Sequence, residues 1–147
     1  MTKKEKIRYY GKDILDSKSI QIQKQCLQHG KRTVFEHSLA VALMCLTINE
    51  FLHLKLNERR LIRGALLHDY FLYDWHVKDK SHRLHGFRHP YFALENARKE
   101  YELDPVLEDM IVKHMFPLIP IPPKYKESWV LCIADKICAS KETILRK

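Results

Sequence analysis

Glycine and proline are scarce in this sequence, with four glycines and six prolines among 147 residues. This scarcity argues against extensive disorder and favours a packed, largely regular fold. The first residues are charged and lack the long apolar stretch of a signal peptide, and no run approaches the roughly 20 apolar residues that span a bilayer. We therefore expect a cytoplasmic protein that does not contact a membrane.

Cysteine is also used sparingly, and no two of the four cysteines form a C-x-x-C pair. Three of them, Cys45, Cys132 and Cys138, lie in apolar stretches where a free thiol behaves as a small core residue. This usage indicates a reducing compartment. The lack of candidate cysteine ligands also argues against a closed structural zinc site.

Alternating apolar and polar residues, which would indicate β-strands, do not form any long stretch, and the apolar residues recur at helical spacing. A chain of 147 residues fits one compact domain. The sequence therefore predicts an all-α fold, a single helical bundle of five to seven helices over residues 1–147. In this prediction residues 1–30 form an N-terminal helical segment, and the core extends over about residues 32–139.

Capping signals mark helix boundaries in the first part of the chain. A first helix is predicted within residues 3–28, with a break near Gly11 and a stop at Gly30, because glycine accepts the backbone conformations found at helix ends. Residues 33–36, Thr-Val-Phe-Glu, have the form of a capping box. This box places His37 in the first turn of the next helix, on its apolar face.

Proline marks boundaries in the second part of the chain. It suits the first position of a helix, where its missing N–H is not needed, so helices are predicted to begin at Pro90 and at Asp104-Pro105. Residues 70–88 have no clean period and are predicted as a loop over the site, with room for a short helical turn. The remaining helices are predicted from Asn57 to the pair His68-Asp69 and from about residue 128 to residue 145.

Side chains able to bind metal recur on the predicted helices or at their ends. A helical bundle can aim such side chains inward from separate helices, as in known bundle metal sites. Asp135 is the most informative, because it interrupts an apolar helix and a buried carboxylate needs a cation, a hydrogen-bond network or a metal. A salt bridge would also satisfy it, and a lone buried histidine is often only hydrogen bonded. The candidates are His37, the pair His68-Asp69, His89, His114 and Asp135.

The order of these residues resembles the HD superfamily of metal-dependent phosphohydrolases. The matching elements are His37, the run Leu66-Leu67-His68-Asp69 and the run Ile133-Ala134-Asp135-Lys136. The resemblance implies an HD-type bundle in which a divalent transition metal is bound by four residues. These implied ligands are His37, His68, Asp69 and Asp135.

Two further histidines resemble those of HD members with two metals. His89 stands before Pro90 at a predicted helix start, and His114 follows an apolar run. The resemblance implies a second ion held by His89 and His114, with Asp69 as the bridge, although His82 or His85 could replace His89. Imidazole and carboxylate ligands suit iron, manganese, cobalt or zinc, so we expect two ions from this group.

A metal centre of this type indicates hydrolysis of a phosphate ester or phosphoanhydride by metal-activated water. The resemblance implies catalytic roles for Asp69 and His68. Cations beside the motifs could hold the phosphates, although such residues are often only solvated: Arg32, Lys113 and Lys136. The expected substrate is a nucleotide or a related small phosphorylated metabolite. Within this class, the sequence does not decide between a dinucleoside polyphosphate and a cyclic dinucleotide.

The formal net charge of +8 leaves other interpretations open. A positive protein attracts anionic partners, so a noncatalytic helical module that binds nucleic acid or an acidic partner is the alternative to an enzyme. No nucleic-acid-binding motif accompanies the charge, and nucleic acid is therefore not the expected partner. A metal that serves stability or ligand sensing without turnover is a third interpretation.

Overall fold

A computed structural model describes residues 1–24, 33–70 and 85–145, with only the backbone described at residues 22, 23, 85–89 and 143–145. The described residues form helices and connecting loops without a β-strand, which confirms the all-α prediction. These residues contain eight helices rather than five to seven. They are α1 Lys3–Tyr10, α2 Lys12–Leu15, α3 Lys18–Gln23, α4 Val34–Phe51, α5 Glu58–Leu67, α6 His85–Glu100, α7 Pro105–Lys113 and α8 Lys126–Leu145.

The higher number arises in the N-terminal segment, where the predicted first helix is broken twice. Gly11 separates α1 from α2 and lies against α5, since a Cβ at this position would come within 2.5 Å of Leu66 Cδ1. Ser17 separates α2 from α3. Its hydroxyl donates to the carbonyl of Ile14 and accepts from the N–H of Ile20, so it satisfies both helix ends. The predicted stop at Gly30 lies outside the described residues.

Three predicted helix starts are confirmed by their caps. Thr33 Oγ1 accepts from the N–H of Glu36 at 3.1 Å, and the Glu36 carboxylate accepts from the N–H of Thr33 at 3.1 Å, which completes the capping box of α4. The Asn57 side chain caps α5 through the N–H of Arg60. Asp104 caps α7, with Pro105 at its first position.

The predicted start of the sixth helix is wrong. Helix α6 begins at His85, five residues before Pro90, and Pro90 lies inside it. Residues 85–88, which were predicted as loop, are therefore helical. Inside a helix, a proline lacks the N–H for one backbone hydrogen bond and its ring crowds the carbonyl four residues earlier, so packing of the ring has to compensate the cost. Pro90 is buried, which is consistent with such packing.

Helix α5 lies at the centre of the bundle, and its residues 61–67 are all buried. It packs against α4, α7 and α8, while α1 and α6 contact it from the outside. Among the described residues one helix, α4, is long and apolar enough to cross a membrane by length and composition alone. A core helix passes the same test, and α4 packs along both α5 and α8.

The buried guanidinium of Arg63 joins α5 to the N-terminal helices. It donates two hydrogen bonds to the Asp13 carboxylate, at 2.6 and 2.9 Å, and a third to the carbonyl of Tyr10 at 3.0 Å. It also lies over the ring of Tyr101. The side-chain hydrogen bond from Arg63 holds the pKa of Asp13 below its ordinary value. This contact ties the N-terminal segment to the core.

Replacing Asp13 with asparagine should lower the free energy of unfolding at pH 7 by about 1 kcal/mol, because Arg63 stays buried while its partner, 55% exposed, is partly screened by water. The folded pKa of Asp13 lies below the unfolded one. The extra stability of the native protein over this variant is therefore complete at neutral pH, and it is lost as the pH falls through the pKa of Asp13 in the folded state. Urea unfolding at pH 7 and at about pH 3 measures this difference.

Asp16→Asn is the matched control, since Asp16 pairs with Arg8 at 2.9 Å but both side chains are about half exposed. This variant should stay within about 0.5 kcal/mol of the native protein at both pH values. If D13N is as stable as the native protein at pH 7, the role given to the Asp13–Arg63 pair is wrong. It is also wrong if the stability difference between D13N and the native protein is the same at low pH as at pH 7.

Candidate metal centre

Two helix ends supply imidazole rings in the same way. His68 follows the last residue of α5, and His114 follows the last residue of α7. In each, Nδ1 lies 2.6 Å from the carbonyl oxygen three residues earlier, that of Ala65 or of Ile111. A carbonyl only accepts, so each Nδ1 carries a proton and each Nε2 points away from its own helix. The two rings meet edge to face, with centroids 4.8 Å apart.

A third imidazole comes from the first turn of α4. His37 is fully buried, and its Nδ1 lies 2.9 Å from both carboxylate oxygens of Glu142 on α8. The Nδ1–H of His37 therefore donates to Glu142, and Nε2 points to the opposite side of the ring. All three Nε2 atoms, of His37, His68 and His114, are aimed at the carboxylates of Asp69 and Asp135.

Two carboxylates complete the cluster. Asp135 Oδ1, from α8, lies 2.7 Å from His37 Nε2 and 3.2 Å from His68 Nε2. Asp69 Oδ2 lies 3.1 Å from His68 Nε2 and 3.7 Å from His37 Nε2, while Asp69 Oδ1 lies 3.5 Å from His114 Nε2. The carboxylate of Asp69 thus stands between two groups of imidazole nitrogens.

The chain beyond Asp69 is held in place by Tyr70. The Tyr70 ring is fully buried, its hydroxyl donates to the carboxylate of Glu100, and its carbonyl accepts from Asn96 Nδ2 at 3.0 Å. Both partners lie on α6. Ser19, from α3, donates to the same Glu100 carboxylate at 2.8 Å. These contacts fix the position of the His68-Asp69 pair between α5 and α6.

Burial and opposite charge act against each other in this cluster. Burial lowers the pKa of His37, but the hydrogen bonds with Asp135 and Glu142 outweigh it and raise that pKa to about 9. Burial likewise raises the pKa of Asp135, and the charges of His68 and His37 outweigh it and hold that pKa well below its ordinary value. The carboxylate of Asp135 therefore stays ionised and requires nearby positive charge, from imidazolium or from a metal.

The donor set fits a divalent transition metal. One ligand atom from each of His37, His68, Asp69 and Asp135 lies within 4.8 Å of the others. Because each Nδ1 donates its proton to a carbonyl or carboxylate, each Nε2 can offer a lone pair to a metal once it is deprotonated, which is the usual arrangement of metal-bound histidines. Helices α5 and α7 also end at the cluster, and the negative ends of their dipoles favour a cation.

A comparison with protein-family models agrees with this geometry. The model described as HD domain matches residues 34–140, well over half of the chain. The chain belongs to the HD domain family. The match includes His37, the His68-Asp69 pair, His114 and Asp135, while helices α1 to α3 and Glu142 lie outside it. No match was found among curated proteins or among solved structures.

The structure brings together five of the six predicted ligands of the HD domain, since His114 lies beside the four-residue cluster through its contact with Asp69. His89 lies in α6, but its side chain, like that of His85, is outside the described residues, and so is all of His82. The choice among these three histidines therefore stays a prediction, as does the binding of two ions.

The predicted phosphate-binding cations have different surroundings. Lys136 Nζ donates to the carbonyl of His114 at 3.2 Å, so it lies close to the metal-ligand cluster. Lys113 Nζ pairs with Asp109 at 2.8 Å, and Asp109 also accepts from the Ser128 hydroxyl. Arg32 lies outside the described residues. Substrate binding by these three cations stays a prediction.

Glu142 is the site residue that the sequence analysis missed. It lies among polar residues near the end of α8, where a glutamate is unremarkable, yet its side chain is only 3% exposed. The one signal is its spacing. It follows Asp135 by seven residues, which is two helical turns and places both carboxylates on the face of α8 that meets His37.

A divalent ion should stabilise the folded protein. Mn²⁺ added to metal-depleted protein at about 100 times its dissociation constant should add roughly 2.7 kcal/mol of stability, because it binds only the folded state. Asp135→Asn should lose most of this gain, since the amide is a much weaker ligand than the carboxylate it replaces. Thermal unfolding with and without Mn²⁺, together with elemental analysis of the bound metal, measures both effects.

His53→Asn serves as the control for that experiment. His53 is exposed and has a φ of 51°, a conformation that asparagine tolerates, so this variant should keep the full metal response. An equal response in D135N and the native protein would show that the ion binds elsewhere. A native protein that responds to none of Mn²⁺, Co²⁺, Fe²⁺ and Zn²⁺ would contradict metal binding.

The hydrogen bond from His37 to Glu142 should strengthen metal binding, because it fixes the tautomer of His37 and makes Nε2 a more basic ligand. Hydrogen bonds of this kind typically raise metal affinity 10- to 100-fold. Glu142→Ala should weaken Mn²⁺ binding by about this factor, and Glu142→Gln by less, since its amide oxygen still accepts. Titration calorimetry gives the dissociation constants. The control is Lys141→Ala, at the neighbouring exposed position, which should bind Mn²⁺ as the native protein does. If E142A also binds Mn²⁺ with the native affinity, Glu142 does not strengthen metal binding.

Proposed function

We propose that this HD domain protein is a metal-dependent phosphohydrolase that cleaves a phosphate ester or phosphoanhydride of a nucleotide or a related small metabolite. The observation that carries the proposal is the placement of Asp69. One of its oxygens faces His68 and His37, and the other faces His114. A carboxylate in this position can bridge two ions, which is the arrangement suited to phosphoryl transfer to water.

Each residue of the cluster would have a distinct task. When bound, divalent ions lower the pKa of water and neutralise phosphoryl oxygens as charge shifts. His37, His68 and Asp135 would hold one ion, and His114 with a histidine of the 82–89 segment would hold the other. Asp69, facing both groups, would orient the reacting water and accept its proton. The surrounding buried apolar residues would keep these charges out of bulk water.

Lys136 is the best placed of the described candidates to hold a nonreacting phosphate oxygen. Its ammonium group lies 3.2 Å from the carbonyl of His114 and is attached to an exposed residue. Lys113 is less suited, because Asp109 already neutralises it. The positive net charge of the chain would favour the approach of an anionic substrate to either lysine.

The noncatalytic alternative, a helical module that binds nucleic acid or an acidic partner, has the net charge of +8 as its support. It gives no reason for three buried imidazoles aimed at two carboxylates, whereas metal binding does. Binding of RNA or DNA by metal-free protein, with a steep dependence on salt, would favour this alternative.

Asp69→Asn should lower kcat by about 100-fold or more on the preferred substrate, because it removes the negative charge that would hold the ions and the base that would accept a proton from water. The assay would test mononucleotides, dinucleoside polyphosphates and cyclic dinucleotides, each with Mn²⁺, Co²⁺ or Fe²⁺. Chromatography of the products identifies the bond cleaved. His53→Asn, remote from the cluster, should keep native activity.

Two results of this assay would contradict the proposed function. If the native protein cleaves no phosphate substrate with any of these ions, the proposed activity is wrong even where metal binding is demonstrated. If D69N matches the native rate, the activity arises outside this centre or from a contaminant.

A further inference from the structure

A cavity of about 560 Å³ lies between the N-terminal helices and α4, away from the metal centre. Its apolar wall is formed by Ile7 of α1, Leu15 of α2, and Phe35, Leu39 and Leu43 of α4. We call this cavity the N-terminal cleft. Its volume lies within the range of roughly 300–1,000 Å³ that is typical of small-molecule sites.

The N-terminal cleft and the metal centre use opposite faces of α4. Phe35, Leu39 and Leu43 are four residues apart and form one stripe along the helix. His37 precedes Leu39 by two residues, about 200° around the helix axis, and points to the carboxylates of α8. A molecule in the N-terminal cleft would therefore be separated from the metal ligands by the body of α4.

The polar residues that line the N-terminal cleft are mainly basic: Lys4, Arg8 and Lys24 stand against one acid, Asp16. Arg8 is paired with Asp16 at 2.9 Å. Lys24 Nζ lies 4.9 Å from the centre of the Phe35 ring, at the edge of the apolar wall. Among the described residues neither Lys4 nor Lys24 has a carboxylate within salt-bridge distance, so the cleft has an excess of positive charge.

We propose that the N-terminal cleft binds a small organic anion with an apolar body, of the type of a medium-chain carboxylate. The apolar wall buries the hydrocarbon part, which supplies the main gain in free energy. Lys24 and Lys4 contact the carboxylate, while Gln21 lines the same cleft and can donate a hydrogen bond. This site does not depend on the proposed phosphohydrolase activity, because none of its residues belongs to the metal centre.

Decanoate is a suitable probe, and titration calorimetry on the full chain without added metal or nucleotide tests the proposal. Decanoate should bind saturably, and decylammonium, with the same tail and the opposite charge, should bind at least about tenfold more weakly. In the variant K4E/K24E the affinity for decanoate should fall about five- to tenfold, because two attractive charges become repulsive. Methyl NMR should place the ligand at Leu39 and Leu43.

The control is K12E/K18E, which makes the same change of net charge at two exposed lysines of α2 and α3 that do not line the cleft. It should bind decanoate within about twofold of the native protein. Equal losses in the two variants, equal binding of decanoate and decylammonium, or methyl NMR changes at Leu67, next to His68, instead of Leu39 would overturn the proposal. The proposal is also wrong if the native protein does not bind decanoate but self-associates, and if Leu43→Trp abolishes that self-association. The cleft would then be an interface between two copies of the chain.

Discussion

The need to compensate buried negative charge governs the centre of this structure. Asp69 is fully buried, Asp135 is only 13% exposed, and Glu142 stands directly behind His37. Three carboxylates in such surroundings would cost several kcal/mol each without nearby positive charge. The three imidazoles meet this need as donors, and a divalent ion at the cluster would meet it more completely. Helices α4, α5, α7 and α8 all contribute a residue to this one centre, so their packing and the charge balance are coupled.

Rigid placement of the imidazoles comes from local backbone geometry as much as from packing. His68 and His114 each use a carbonyl of the helix that they terminate, so the same hydrogen bond satisfies a helix end and fixes a tautomer. His37 lies in the first turn of its helix instead of at the end, and its Nδ1 donates to a carboxylate 105 positions away. The centre thus combines two ligands held locally with one held by a long-range contact.

This difference explains what could be predicted from the sequence. Caps at Thr33, Asn57 and Asp104 are local signals, and they located α4, α5 and α7 correctly. Pro90 was misleading, because it lies buried inside α6 instead of at the helix start that proline prefers. The spacing of Glu142 from Asp135 was too weak a signal to identify it, since its importance depends on where α4 and α8 meet and not on its neighbours in sequence. The break of the N-terminal segment at Ser17 likewise depends on a side-chain cap that the pattern of apolar residues does not encode.

Helix α4 has apolar side chains on both faces, and this has a consequence for how the protein can be divided. The match to the HD domain begins at residue 34, yet the outer stripe of α4, with Phe35, Leu39 and Leu43, lies on the side that faces α1 and α3 and is only partly exposed. A fragment cut at the family boundary would expose that stripe to water and tend to aggregate. We therefore expect that a fragment has to include the N-terminal helices to stay folded in solution, even though these helices add no residue to the His/Asp cluster.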